Sequence, residues 1–429
     1  MTQLNQDAGS KSKLNPIIIV GILFFIFGFI TWLNSVLIPY LRIACQLNNV
    51  QAYLVTSAFY IAYLVMAVPS SLVLKRFGFK NGMAVGLLVI SAGALVFIPA
   101  ALTRIYGIFL AGLFIQGTGL TILQSASNPY ITILGPAESA AKRISIMGIF
   151  NKAAGAIAPI ILGAVTLKGA DQLLIRLKTI SPAEKVVELN TLASKVIMPY
   201  IIIFLVLVLL SIFIYRSGLP EIEEQKDDVT SGSGGETKTS ILQFPHLLLG
   251  VLTLFFYVGA EVIAGDSIIS YGASQKIALS TAKFFTTCTL ASMIVGYIIG
   301  IIAIPKYITQ QRALVMCAVL GLVFSACAVS FAGYVSILFI ALLGLANSLM
   351  WPAVWPLALA HLGRFTKVGA SLLVMGIAGA AVIPLLYGTL VDHHVSNRMA
   401  YLILLPIYAF ILFYATIGHN IGVNLKSKK

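Results

Sequence analysis

Charge is what this sequence has least of. Asp, Glu, Lys and Arg make up 10% of its 429 residues, against roughly 25% in an average soluble protein, and 59% are hydrophobic. Such a chain belongs in a membrane. Acidic residues are scarcest, 14 against 28 basic ones, yet the Lys and Arg sit in short connections between apolar runs and not on one face. The surplus therefore reads as membrane topology, not nucleic-acid binding. Four cysteines, Cys45, Cys288, Cys317 and Cys327, show no metal-ligand spacing and read as free thiols. His361, His393 and His394 lack ligand spacing as well. No Walker loop, dinucleotide fingerprint or nucleophile elbow is present, so neither an enzyme nor a resident cofactor is expected. The apolar runs lack the period-two alternation of a closed barrel. The first run is too long for a cleaved signal peptide and has no small-residue cleavage site after it, so it reads as a span.

What the chain does have is a series of apolar runs, each near the 20 or so residues that cross about 30 Å of hydrocarbon as a helix. Twelve spans are expected, in an all-α membrane protein of two six-helix halves. The divisions are an N-terminus at 1–14, a first half at 15–216, a linker at 217–245, a second half at 246–420 and a tail at 421–429. Most Lys and Arg fall in alternate connections, which places both termini in the cytoplasm by the positive-inside rule. The stretch "PEIEEQKDDVTSGSGGETKTS" mixes acidic residues with a Ser/Gly tract and reads as a flexible cytoplasmic linker. The connection 168–195, expected outside, has helical periodicity and reads as interfacial helices. "ISIMGIFNKAAGAIAPIILG" in span five and "SLLVMGIAGAAVIPLLYG" in span eleven share Met-Gly-Ile and a later proline. Six spans separate them, as an internal repeat would.

Polar side chains within the spans need a partner or a wet cavity. In span one, Thr31, Asn34 and Ser35 share a face; in span four, Gln124 and Asn128 are four apart, followed by Pro129; span five carries Asn151. In span ten, Asn347, Trp351 and Trp355 recur every fourth residue, which predicts one stripe. Amides offer donors and acceptors to hydroxyls, and an indole face can cover the C–H face of a sugar ring. The inventory suits a neutral polyol; the plainer reading is that the amides join helices.

Three charged side chains fall near mid-membrane: Lys152 in span five, Glu261 and Asp266 in span seven. A lysine in low dielectric loses its proton or finds a carboxylate, so Lys152 is expected within reach of one of the acids. Five residues turn a helix by about 500°, leaving Glu261 and Asp266 about 140° apart unless Gly265 bends the helix. Glu261, the more central, is the better candidate for ion coupling. Asp266 could instead bond a sugar hydroxyl or reach water. Arg76, in "LKRFGFK", and Arg143 are candidate gating residues.

"GFITWLNSVLIPYL", "LQSASNPYITILGP", "FNKAAGA", "FFYVGAEV" and "NSLMWPAVWPLALAHLG" together resemble the fucose/proton symporter family of the major facilitator superfamily, closest to its glucose/galactose branch. The resemblance covers nearly the whole chain. It implies a major facilitator fold, residence in the inner membrane as a functional monomer, and import of a monosaccharide by alternating access with H+ or Na+. The family's fucose permeases carry carboxylates where this chain has Ser35 and Gln124, and a serine at Lys152. Coupling then moves to Glu261 with Lys152, uses sodium, or is absent. The alternatives are a carrier of an acidic sugar or other small anion anchored by Lys152, and a non-transporting membrane sugar sensor.

Overall fold

A computed structural model describes residues 16–133, 140–219, 240–304, 306–362 and 365–422. All regular structure in them is helical, as expected where no water is available to satisfy the backbone and each segment must close its own hydrogen bonds. Span one is α1 (Pro16–Trp32) and α2 (Asn34–Ala44), span two begins with α3 (Asn49–Val65), and α4 (Ala67–Thr103) carries the chain on through span three. Spans four and five are α5 (Tyr106–Ile133) and α6 (Ala140–Thr166); the short α7 (Ala170–Arg176) and α8 (Pro182–Ser194) precede α9 (Ile197–Arg216), span six. In the second half, span seven is α10 (Pro245–Asp266) with α11 (Ile268–Ser274), span eight α12 (Leu279–Ala282) with α13 (Phe285–Ala303), and span nine α14 (Gln310–Ser330). Span ten is α15 (Gly333–Asn347) with α16 (Met350–Leu359), span eleven α17 (Thr366–Met375) with α18 (Gly379–Asp392), and span twelve α19 (Asn397–Ala400) with α20 (Leu404–Thr416).

Among the described residues, eleven segments are long and apolar enough to cross a bilayer, and Asn49–Val65 is a shorter apolar helix. Span two falls short because the helix breaks at Met66 and resumes in α4, which carries it to Gly78. There the backbone turns to φ 77°, a conformation open to glycine, and separates spans two and three. An even number of crossings leaves both ends of the bundle on one face, the terminal face; the opposite face is termed distal. The N-terminus, most of the linker and the last residues of the tail lie outside the described residues.

One helix break lies beside a proline. Pro352 cannot donate to the carbonyl of Ser348, and span ten divides between Asn347 and Met350. The Asn347–Trp351–Trp355 spacing runs across this break, with Trp351 and Trp355 together in α16. Each half is closed by a helix pair too tight for a side chain. A Cβ on Gly28 of span one would lie 1.9 Å from the Asn151 carbonyl oxygen of span five, and one on Gly379 of span eleven 1.8 Å from the Phe255 carbonyl oxygen of span seven. The two helix pairs correspond after a shift of six spans, with the glycine on the first member of one pair and on the second member of the other. The halves meet where α3 packs on α18 and α6 on α13. Apolar side chains such as Ile202, Leu205, Leu209 and Ile302 are exposed, a surface suited to lipid.

Candidate transport site

At the centre, Lys152 of α6 donates through Nζ to Glu261 Oε1 of α10 and forms an ion pair between the halves. The two side chains are 11% and 9% exposed. Burial makes the pair mutually dependent: removing either partner strands a charge. The ammonium also lies 4.8 Å from the centroid of the Trp32 ring, within cation–π range.

Trp32 escaped the reading by residue type. It ends α1, is buried, and packs with Leu290, Met293 and Tyr297 of α13. Its ring occupies a slot made by two glycines: a Cβ on Gly155 would meet its Cδ1 at 2.2 Å, and one on Gly265 its Cζ3 at 2.1 Å. Gly155 follows Lys152 by three residues and Gly265 follows Glu261 by four, so each charged side chain has a small residue on its own helix face. An indole fills the space they leave.

The remaining polar residues divide into satisfied and open groups. Gln124 donates Nε2 to the Tyr63 hydroxyl at 2.9 Å, and Asn128, also half-buried, lies one turn along the same helix. Asn34 is buried with Nδ2 unpartnered, and Asn151 is buried where α1 crosses α6. Asn347 accepts from the Tyr408 hydroxyl at 2.9 Å while its Nδ2 is unpartnered. Trp351 and Trp355 are half-buried with ring centroids 5.5 Å apart, and the Trp355 Nε1 has no partner. Buried donors are rarely left unpaired unless water or a ligand satisfies them; these three N–H groups can donate to hydroxyl oxygens.

Asp266 does not join the ion pair. α10 runs without interruption to this residue, so the two acids diverge as regular geometry requires. It is 1% exposed; Oδ2 accepts from Thr56 Oγ1 of α3 at 3.3 Å, and Oδ1 is unpartnered. Of the two arginines, Arg143 is buried and donates Nε to the Ile131 carbonyl of its own half, and Arg76 is exposed beside Phe77. All four cysteines are free thiols, and among the described residues no group of three or more His, Cys, Asp or Glu could hold a metal.

Residues 20–370 match the family model described as "Major Facilitator Superfamily". The chain is 34% identical to a "Glucose/galactose transporter" of Brucella abortus biovar 1 (strain 9-941), over 92% of each chain. It is 29% identical to the "L-fucose-proton symporter" of Escherichia coli (strain K12), over 98% of this chain and 97% of that one. Among solved structures it is similar to FucP, a transporter of this superfamily in the outward conformation, with TM-score 0.71 and 27% identity, covering 94% of this chain and 99% of that one. The helix order, the six-span repeat and the polar centre between the halves agree with these likenesses. The chain belongs to the major facilitator superfamily, in the family that includes the fucose symporters and glucose/galactose transporters: it is a multi-pass membrane transporter and not an enzyme.

Proposed function

We propose that the protein imports a hexose of the glucose, galactose or mannose type by alternating access, coupled to a proton gradient. The observation that carries this reading is the Lys152–Glu261 ion pair between the halves. A charge pair that spans the seam must change when the halves rock, so an ion acting on Glu261 couples to the motion. The relatives support both parts of the reading: one set is named for glucose and galactose, the other for proton symport. Asn34, Gln124, Asn128, Asn151, Asn347, Trp351 and Trp355 provide the amide and indole groups for a neutral sugar. The terminal face is cytoplasmic and the membrane is the inner one, with the chain acting as a monomer.

A carrier of acidic sugars anchored by Lys152 is disfavoured, because its ammonium already has a carboxylate partner. Uptake in proteoliposomes, with a panel of hexoses and uronates under separate proton and sodium gradients, tests the proposal. Accumulation of a neutral hexose under the proton gradient alone supports it. Accumulation driven only by sodium overturns the coupling ion, and uptake restricted to uronates overturns the cargo.

A further inference from the structure

Two carboxylates away from the central site join the halves at the distal face. Asp392, the last residue of α18, accepts from the backbone N–H of Asn49 at 3.1 Å and of Val50 at 2.9 Å, and from Asn49 Nδ2 at 2.6 Å. Those are first-turn donors of α3, in the other half. Asp171 of α7 accepts from the backbone N–H of Leu279 at 2.9 Å and of Ser280 at 3.3 Å, the first turn of α12, again across the seam. First-turn N–H groups have no partner within their own helix, and a carboxylate that accepts two of them makes charge-assisted bonds.

The arrangement repeats with the fold. Asp392 ends span eleven and holds the start of span two; Asp171 follows span five and holds the start of span eight. Six spans separate each element from its counterpart. Local capping does not account for it, since α3 already has its own capping box in Asn48 and Gln51. The surrounding seam is tight as well: a Cβ on Gly388 would lie 2.7 Å from Tyr53, and the Tyr53 and Tyr387 rings meet edge to face.

We propose that Asp171 and Asp392 are the two positioning residues of a distal latch. Each half supplies one carboxylate that caps a helix of the other, both caps must break for the distal face to open, and both re-form when it closes. Four of the five donors are backbone N–H groups, which remain whatever side chain follows them; Asn49 Nδ2 is the fifth, and all five converge on the two aspartates. The latch lies on the distal face, away from the central Lys152–Glu261 pair. The proposal therefore goes beyond the transport reading and can fail separately from it.

The test uses the full chain in lipid nanodiscs without sugar, with Cys45, Cys288 and Cys327 replaced by serine and a reporter introduced as Ser270→Cys. Ser270 is buried in α11, on the distal side of Asp266, and its hydroxyl has no partner. Native Cys317, buried in α14, is kept to report general unfolding. Asp171→Asn and Asp392→Asn each replace one acceptor oxygen by a donor facing an N–H. Each is expected to raise maleimide labelling at position 270 about fivefold, and the pair about 25-fold, as independent losses multiply. Labelling at Cys317 should not change. Glu188→Gln, which breaks the ion pair with Arg176 within one half, should leave position 270 at its original rate. Unchanged labelling in the double variant overturns the latch, and so does an equal rise at Cys317.

Discussion

Replacing Lys152 by Met, Glu261 by Gln, or both at once should give three distinct stabilities in a fixed order. Breaking a buried ion pair by removing one partner costs about 3–5 kcal/mol, because the other charge is stranded. With side chains 11% and 9% exposed, the low end applies, so Lys152→Met should cost about 3 kcal/mol. Glu261→Gln should cost less. The ammonium it leaves behind retains the Trp32 face at 4.8 Å, a desolvated cation–π contact of about 1–2 kcal/mol. Removing both partners strands nothing and should recover most of the loss. The assay is thermal unfolding in detergent followed by a thiol-reactive dye at Cys317, buried in α14, with Cys45, Cys288 and Cys327 replaced by serine in every variant. The predicted order is Lys152→Met lowest, Glu261→Gln intermediate, and the double variant near the parent. Strictly additive losses in the double variant would mean that the two side chains do not interact.

Trp32→Leu should lower initial uptake several-fold while Trp32→Phe keeps most of it, since phenylalanine retains a π face; in a Lys152→Met background the two should have equal counterflow. Gly28→Ala should lower the melting temperature sharply, because its Cβ would lie 1.9 Å from the Asn151 carbonyl oxygen, whereas Gly107→Ala meets nothing within 4 Å and should cost little. Tyr408→Phe should cost about 1–3 kcal/mol by thermal unfolding, as it leaves the buried Asn347 Oδ1 without its donor.

Helices, spans and the six-plus-six division were legible because hydrocarbon admits few backbone solutions and each run of apolar residues announces one. The Lys152–Glu261 contact was legible for a related reason: a lone cation in a span needs a counter-charge, and only two acids were near enough in depth. Trp32 was not. Its position depends on the absence of side chains at Gly155 and Gly265 on two other helices, and absence carries no periodic signal. The break between Asn347 and Met350 was not legible from spacing, which assumes an unbroken helix; Trp351 and Trp355, on one side of it, keep their rings 5.5 Å apart. The distal aspartates were not legible from side-chain chemistry, since most of their partners are backbone N–H groups.

Glu261→Gln in proteoliposomes separates coupling from translocation most directly. With the carboxylate gone and the halves still free to rock, hexose should exchange across the membrane by counterflow while gradient-driven accumulation is abolished. Accumulation at the parental level would contradict the assignment of Glu261 as the coupling group.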